Sequence, residues 1–360
     1  MPEHIDLDNF EVLSKIDKDG MLESVEKFAD QIDIAVEAAE KAPTPELGII
    51  KNMVISGLGG SAIGGDIFRS YLSDSVGFPI MVNRNYTLPK FVGSETLVVA
   101  SSYSGNTEET LSAYKYAVES GAKVVAITSG GTLAKLAKED NVPTLVIPGG
   151  LQPRAALGYS FFGLLAWFSK LGIIPNQDES ISATGAVVKK VINEYKQSVS
   201  TNSNPAKQLA LSMFDRYVYV YASQDRFDVV ALRWRGQMNE NGKVPASSNV
   251  VPELCHNEIV GWVKSADILG RSIVIYLRDK EDHPRISLRF DAIKPLLEEK
   301  GAEIHEIHSE GDNVLARIFS LIILGDIVSV YVALKQEIDP TPVEPIVKLK
   351  EELAKSDVGQ

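Results

Sequence analysis

Short apolar runs alternate along most of the chain with stretches of helical period. Runs rich in Val, Ile and Leu near 52–57, 79–83, 96–101, 123–128 and 143–147 predict strands; amphipathic stretches near 61–73, 106–120, 132–139 and 155–171 predict the helices between them. Strict alternation of this kind implies parallel strands joined by crossovers, with helices on both faces of the sheet. Ahead of it, residues 8–42 carry a helical period. Behind it, "IIPNQDES" (173–180) breaks the pattern and a polar helical bridge runs to about residue 204. A looser version of the alternation then begins: strand 216–223, helix 225–240, strand 272–277, helix 285–300, strand 304–307 and a long apolar helix after Asp312. The C-terminal "DPTPVEPIVKLKEELAK" predicts a last helix on the outside. The pattern divides the chain into an N-terminal helical arm (1–45), a first α/β domain (46–175), a linker helix (176–203), a second α/β domain (204–335) and a C-terminal helix and tail (336–360).

A hydrophobic content of 44% over 360 residues supplies two buried cores. Two apolar runs, Ala155 to Ile174 and Ile318 to Leu334, are long enough to raise a membrane span, but Lys170 and Asp326 within them argue for buried helices. With one cysteine, Cys255, the chain has no intramolecular disulfide and no Cys-rich zinc spacing; no H-x-x-x-H pair is present, and no metal is expected. The acidic start MPEHIDLDNF lacks the basic-then-apolar pattern of a signal peptide, so a cytoplasmic location is expected. Thirty-six basic residues against 48 acidic give a net charge of −12, which argues against nonspecific binding to nucleic acid. A site for a small anion must therefore draw its positive potential locally, from backbone N–H groups, helix N-termini and a few placed cations.

One stretch fits that requirement. In "VISGLGGSAIGGD" (54–66) a strand runs into five glycines with Ser61 among them, and glycine at a strand-to-helix turn lets N–H groups approach a phosphate. Gly57, Gly59 and Ala62 also satisfy G-x-G-x-x-A, a dinucleotide spacing. The second strand, however, ends "MVNRNY", with Asn83 and Arg84 where an acid should hold the ribose, which leaves only an NADP variant. Forty residues on, "LVVASSYSGNTEETL" (97–111) is a second strand-to-turn carrying Ser101, Ser102, Ser104 and Thr107. Asn106 with Glu109 makes a capping box, which accounts for one or two polar groups and not for four hydroxyls. Both turns lie at the carboxyl ends of parallel strands, where they form a nest of donors suited to one phosphate monoester.

Three downstream residues carry candidate chemistry. Glu240 ends a helix in "RWRGQMNENGKVPA" (233–246), where the negative end of the helix dipole favours a general base; an acid before Asn-Gly is also a common solvated surface residue. His256, in "PELCHNEIVGW" (252–262), sits in the turn that opens a short helix, as a proton shuttle or as a hydrogen-bonded structural histidine. Arg154, in "GLQPRAALGYSFFG" (150–163), stands at the mouth of an apolar helix and adds positive charge on the ligand side of the sheet. His305 and His308 lie on a strand and its exit, as structural residues.

Taken together, GLGGSAIGGD, SSYSGNTEET, QPRAALGYSF, NENGKVPA, ELCHNEIVGW and DPTPVEPIVKLK resemble the bifunctional phosphoglucose/phosphomannose isomerases, a branch of the sugar isomerase (SIS) domain family, from about residue 50 to 353. The resemblance implies two doubly wound SIS-type domains and a cofactor-free aldose–ketose isomerase acting on hexose 6-phosphates. It makes Gly59, Ser61, Ser102, Ser104 and Thr107 the phosphate grip. It has Glu240 move a proton between C1 and C2, Arg154 stabilise the cis-enediolate, and His256 with Lys348 assist ring opening. It implies a homodimer with shared active sites, the histidine coming from the neighbouring subunit. Thr341 would lie beside C2 and C3, where a small side chain permits rotation, so that both C2 epimers react. On residue chemistry alone, Thr341-Pro342-Val343-Glu344 is a capping box with Pro at the first helical position, and Lys350 competes with Lys348.

Three other readings fit parts of the pattern: a SIS-type sugar-phosphate sensor that binds without reacting, an NADP-dependent oxidoreductase using the 57–62 turn, and an aminosugar-phosphate isomerase of the same fold. A sensor would be expected to carry a basic DNA-binding stretch, and none is visible.

Overall fold

The computed structural model describes residues 5–262 and 270–355. Three helices, α1 (Phe10–Ile16), α2 (Met21–Glu26) and α3 (Phe28–Lys41), open the chain. A five-stranded sheet follows, with β1 (Asn52–Ser56), β2 (Ile80–Asn83), β3 (Thr96–Ser101), β4 (Lys123–Thr128) and β5 (Thr144–Val146) all parallel in the order β2-β1-β3-β4-β5. Its helices are α4 (Gly59–Leu72), α5 (Glu108–Glu119), α6 (Gly131–Glu139) and α7 (Leu157–Lys170). Every element expected in this half forms, with ends shifted by a residue or two. The central strand β3 is buried throughout because both faces are covered: Leu97 and Val99 face the core of α3, α4 and α7, whereas Val98 and Ala100 face Tyr114 and Leu133 under α5 and α6.

After α8 (Asp178–Tyr195) and α9 (Pro205–Ser212), the second half winds the same way: β6 (Tyr217–Ser223), α10 (Asp228–Glu240), β7 (Ala246–Val251), α11 (Glu258–Gly261), β8 (Ser272–Arg278), α12 (Pro284–Glu298), β9 (Glu303–His308) and α13 (Val314–Lys335). Its sheet is parallel in the order β7-β6-β8-β9, which repeats the first four positions of the first sheet. Strand β7 is absent from the sequence-based expectation. It reads Ala-Ser-Ser-Asn-Val-Val, lies at the sheet edge and buries only Val251, so no apolar run marks it.

Helix α13 is long and apolar enough to cross a membrane, yet 94% of that window is buried inside the protein against α2, α8, α9 and α10. The rings of Phe28, Phe161, Phe162 and Phe319 join the N-terminal helices, α7 and α13 into one core that both sheets share. The last helix, α14 (Glu344–Leu353), buries none of its residues and leaves Val347, Leu349 and Leu353 half exposed or more.

Across the boundary between the two sheets α4 and α10 lie side by side, pointing in opposite directions. The Ser70 hydroxyl donates to the carbonyls of Asp225 and Arg226 at 2.9 and 3.0 Å, and Arg69 pairs with Asp228 at 3.4 Å, so the end of α4 meets the start of α10. The start of α4 and the end of α10 then border one cavity. The carboxyl edge of the first sheet thus opens onto the same cleft as the amino edge of the second.

Candidate active site

The cleft is built first by glycines. Gly59, the first residue of α4, has φ of +52°, in the left-handed region. A Cβ on Gly57 would stand 2.9 Å from the Ser101 carbonyl oxygen, and one on Gly60 would stand 2.6 Å from the Pro153 carbonyl oxygen. The β1–α4 turn is therefore pressed against both the serine-rich turn and the segment that carries Arg154. No side chain caps α4, so its first N–H groups remain for an anion.

The serine-rich turn is folded on itself. Ser102 Oγ and Thr107 Oγ1 are 2.9 Å apart, the Gly105 N–H donates to Ser102 Oγ at 3.1 Å, and the Asn106 N–H donates to Ser104 Oγ at 3.3 Å. The expected capping box does not form. Helix α5 begins at Glu108 with Thr107 as its N-cap and no side-chain bond, because Asn106 Oδ1 instead accepts from the Thr132 N–H and hydroxyl at 3.0 Å, tying this turn to α6. The hydroxyls are thus not consumed by capping.

Arg154 lies in a 3-10 turn (Pro153–Ala155) ahead of α7 and is only 4% exposed. Its Nε donates to Asn241 Oδ1 at 2.6 Å, and Nη2 donates to the carbonyls of Pro340 and Thr341 at 2.9 and 2.7 Å. Nη1 is left facing Glu240 Oε2 at 4.0 Å. Burial presses this guanidinium below its ordinary range, Glu240 opposes that, and Arg233 adds to it. Arg233 also donates to the Arg154 carbonyl at 2.9 Å while both of its other bonds go to buried Asp326, so a second ion pair props the first arginine. Glu240 ends α10 as expected, with a side chain 37% exposed toward the cavity. That cavity, of about 230 Å³, is lined by Gly59, Gly60, Arg84, Arg154, Arg235 and Glu240 among others.

Thr341 is 4% exposed and lies beside Arg154, but it caps nothing: α14 starts at Glu344, its N-cap is Val343, and Pro345 rather than Pro342 occupies the first turn. The Thr341 N–H instead takes an Asp339 carboxylate oxygen at 3.0 Å, and Thr341 Oγ1 is buried without a hydrogen-bond partner. An orphaned hydroxyl at this point is suited to a ligand.

Of the expected site residues Gly59, Arg154 and Glu240 line the cavity; Ser61, Ser102, Ser104 and Thr107 lie in the turns behind it without lining it, and Thr341, Lys348 and His256 lie elsewhere. Lys348 is exposed on α14 and borders a separate groove with Gln152 and Thr341. His256 ends a 3-10 turn (Glu253–His256) after β7 and is exposed. The Ala246 N–H at the start of β7 reaches Asn239 Oδ1, beside Glu240, whereas Val251 at its end accepts from the Gln224 N–H at the far edge. A six-residue strand spans roughly 20 Å, so the strand's length separates the two residues. They also lie across the sheet from each other: α10 packs with Val218, Val220 and Ile275, whereas Leu254 packs with Tyr221, Val274 and Tyr276 on the other face.

Sequence reasoning missed Lys243 and Asn241. Lys243 Nζ donates to the carbonyls of Glu240, Pro340 and Pro342 at 2.6, 3.1 and 2.5 Å and so staples the end of α10 to the irregular segment that carries Thr341; burial, then Arg154, lowers its pKa. The Asn-Gly-Lys turn was visible, but its partners lie about a hundred residues away. For the Arg233–Asp326 prop there was a signal: Asp326 is a lone acid in an apolar run. Arg84, which an NADP site would need free, is paired with Asp66.

Residues 49–142 match the family model of the SIS domain, and residues 202–353 match that of the bacterial phospho-glucose isomerase C-terminal SIS domain. A bifunctional phosphoglucose/phosphomannose isomerase of Caldicellulosiruptor bescii is 47% identical over 93% of this chain and 99% of its own length. One of Aquifex aeolicus is 36% identical, over 92% of this chain and 97% of its own. In fold, the crystal structure of a hypothetical protein from Thermus thermophilus superposes with a TM-score of 0.73 at 16% identity, covering 97% of this chain and 93% of that one.

Proposed function

The chain belongs to the bifunctional phosphoglucose/phosphomannose isomerases of the SIS-domain family, and on that premise we propose that the cleft between its two sheets is where glucose 6-phosphate and mannose 6-phosphate exchange with fructose 6-phosphate. The observation that carries this placement is the single cavity in which the N-terminus of α4, Arg154 and Glu240 meet.

In this reading Gly59, Ser61, Ser102, Ser104 and Thr107 hold the phosphate, and that remote anchor orients the open-chain sugar. Glu240, as carboxylate, takes the proton from C2 of the aldose while the electron pair forms the C1–C2 double bond. The charge gathered on oxygen faces Arg154 Nη1, the one end of that guanidinium not engaged by Asn241 or the 340–341 carbonyls. Transfer of the C2 hydroxyl proton to O1, with return of the carbon-derived proton to C1, gives the ketose. Because Arg154 is buried and fixed by three acceptors, it needs no reorganisation when the charge develops. Thr341, with an unpaired hydroxyl next to Arg154, fits a position beside C2 and C3.

His256 and Lys348 assist ring opening in this proposal, and His256 does so from a second copy of the chain. The separation of His256 from Glu240 by a strand's length and by the sheet itself supports a homodimer with shared sites. A cytoplasmic place in glycolysis and gluconeogenesis fits such an activity.

The test is proton exchange at C2 of glucose 6-phosphate in deuterated water. Wild-type protein should exchange and isomerise; Glu240→Gln should lose about 10²–10⁴-fold in kcat while still binding fructose 6-phosphate. Near-normal turnover of that variant would remove Glu240 from the mechanism, and turnover of glucosamine 6-phosphate in place of the neutral sugars would redirect the substrate assignment.

A further inference from the structure

The segment that presents His256 is held by one carboxylate. Both oxygens of Glu258 are taken by neutral donors on the sheet beneath: the Tyr221 hydroxyl on β6 donates to Oε1, and Asn249 Nδ2 on β7 donates to Oε2. Asn249 is fixed in turn, its Oδ1 accepting from the Val250 N–H at 2.8 Å. Tyr221 is 1% exposed, and its hydroxyl is pushed far up by burial first and by Glu258 second. Among the described residues no lysine or arginine pairs with Glu258.

Above that clamp the turn is closed by its own side chains. The Glu258 N–H donates to Asn257 Oδ1 and Asn257 Nδ2 donates to Glu253 Oε1, both at 2.6 Å. Leu254 and Trp262 are buried on either side, and the Trp262 ring lies 4.8 Å from that of Tyr219. His256 points outward with no hydrogen bond to any described residue, so the direction of its imidazole is set by the backbone that Glu258 secures.

We propose that Glu258, clamped by Tyr221 and Asn249, is a positioning residue that acts through His256. This rests on the reading above, in which His256 takes part in turnover. Removing the clamp lets the turn shift on the sheet, and a misplacement near an ångström can cost about 10²-fold in rate. In Glu258→Gln the negative charge is gone and only one end of the amide can accept, so the charge-assisted bond from either Tyr221 or Asn249 is lost. Tyr221→Phe removes the other donor and keeps the shape of the core.

The experiment measures kcat and KM for fructose 6-phosphate on the full chain, with Glu258→Gln and Tyr221→Phe each made in the wild-type and in the His256→Ala background. In the wild-type background each should lower kcat on the order of 10-fold and leave KM within about 2-fold. In the His256→Ala background neither should lower kcat further, because the group they position is gone. Equal losses in both backgrounds, or wild-type kcat in both single variants, would overturn the proposal and leave His256's own role standing. Full turnover by His256→Ala alone would remove the reading of His256 and this proposal with it. If Glu258→Gln does not fold, the Tyr221→Phe pair decides by the same criterion.

Discussion

The two sheets share a winding order but differ at their carboxyl edges. In the first, β1 leaves through Gly57, Gly59 and Gly60, of which Gly59 and Gly60 line the cavity, and β3 leaves through Ser101, Ser102, Ser104 and Thr107, of which Ser104 is exposed. In the second, the corresponding exit of β6 is Ser223-Gln224-Asp225-Arg226-Phe227, with Phe227 buried, and β8 exits through Asp279 and Asp282. Asp279 accepts from Arg317 Nε at 2.8 Å and from the Ser309 hydroxyl, and both members of that ion pair are almost fully buried. A phosphate there would meet carboxylates and a filled loop. Repetition of a fold therefore need not repeat a ligand site: among the described residues the glycine-rich exit of the first half has no counterpart at the exits of β6 and β8.

The second half contributes instead at its other edge. Because α4 and α10 point in opposite directions, the C-terminus of α10, with Glu240, reaches the first half's glycine turn. The first half would then hold the substrate and the second would move its proton.

Breaking the filled edge should have the largest effect, and on stability alone. Arg317→Met strands the Asp279 carboxylate, and chemical denaturation should show a loss of about 3–5 kcal/mol while the folded protein keeps its KM for fructose 6-phosphate. A raised KM there would mean that the second edge also serves the substrate. Next comes the open edge. Gly57→Ala drives a methyl group into the Ser101 carbonyl and should raise KM on the order of 10²-fold, read by steady-state kinetics. The mildest contrast is between single hydroxyls. Thr107→Ala takes no cap bond from α5 but removes the bond to Ser102 Oγ, so chemical denaturation should show a loss of about 1 kcal/mol, whereas KM should rise about 10-fold, the value of one hydrogen bond to a charged group. Ser223→Ala, at the matching edge of the second sheet, should leave KM where it was.

Asn106 with Glu109, and Thr341 with Glu344, have capping-box spacing, yet Asn106 bonds to α6 and Thr341 bonds to Asp339 and Arg154. For Asn106 the competing partner lies outside the four-residue window in which a box is recognised; Thr341 makes those bonds with its backbone, its hydroxyl has no partner, and its box fails because the helix starts only at Glu344. Strand β7 escaped because an edge strand need not be apolar, and the Lys243 staple because its acceptors come from residues 340–342.

What the amino-acid order determined by itself was local: where the strands and helices run, that the strands are parallel, that glycines and hydroxyls gather at two exits, and that Glu240 ends a helix. Periodicity, turn chemistry and backbone sterics act within a few residues and leave their mark on the sequence directly. Only tertiary structure decided that the two sheets stand with opposite edges to one cleft, that Arg154 is pinned by Asn241 and the 340–341 carbonyls with one nitrogen to spare, and that His256 is turned away from Glu240. Those outcomes depend on how buried groups far apart in the chain satisfy one another's hydrogen bonds and charges, which no short window of sequence records.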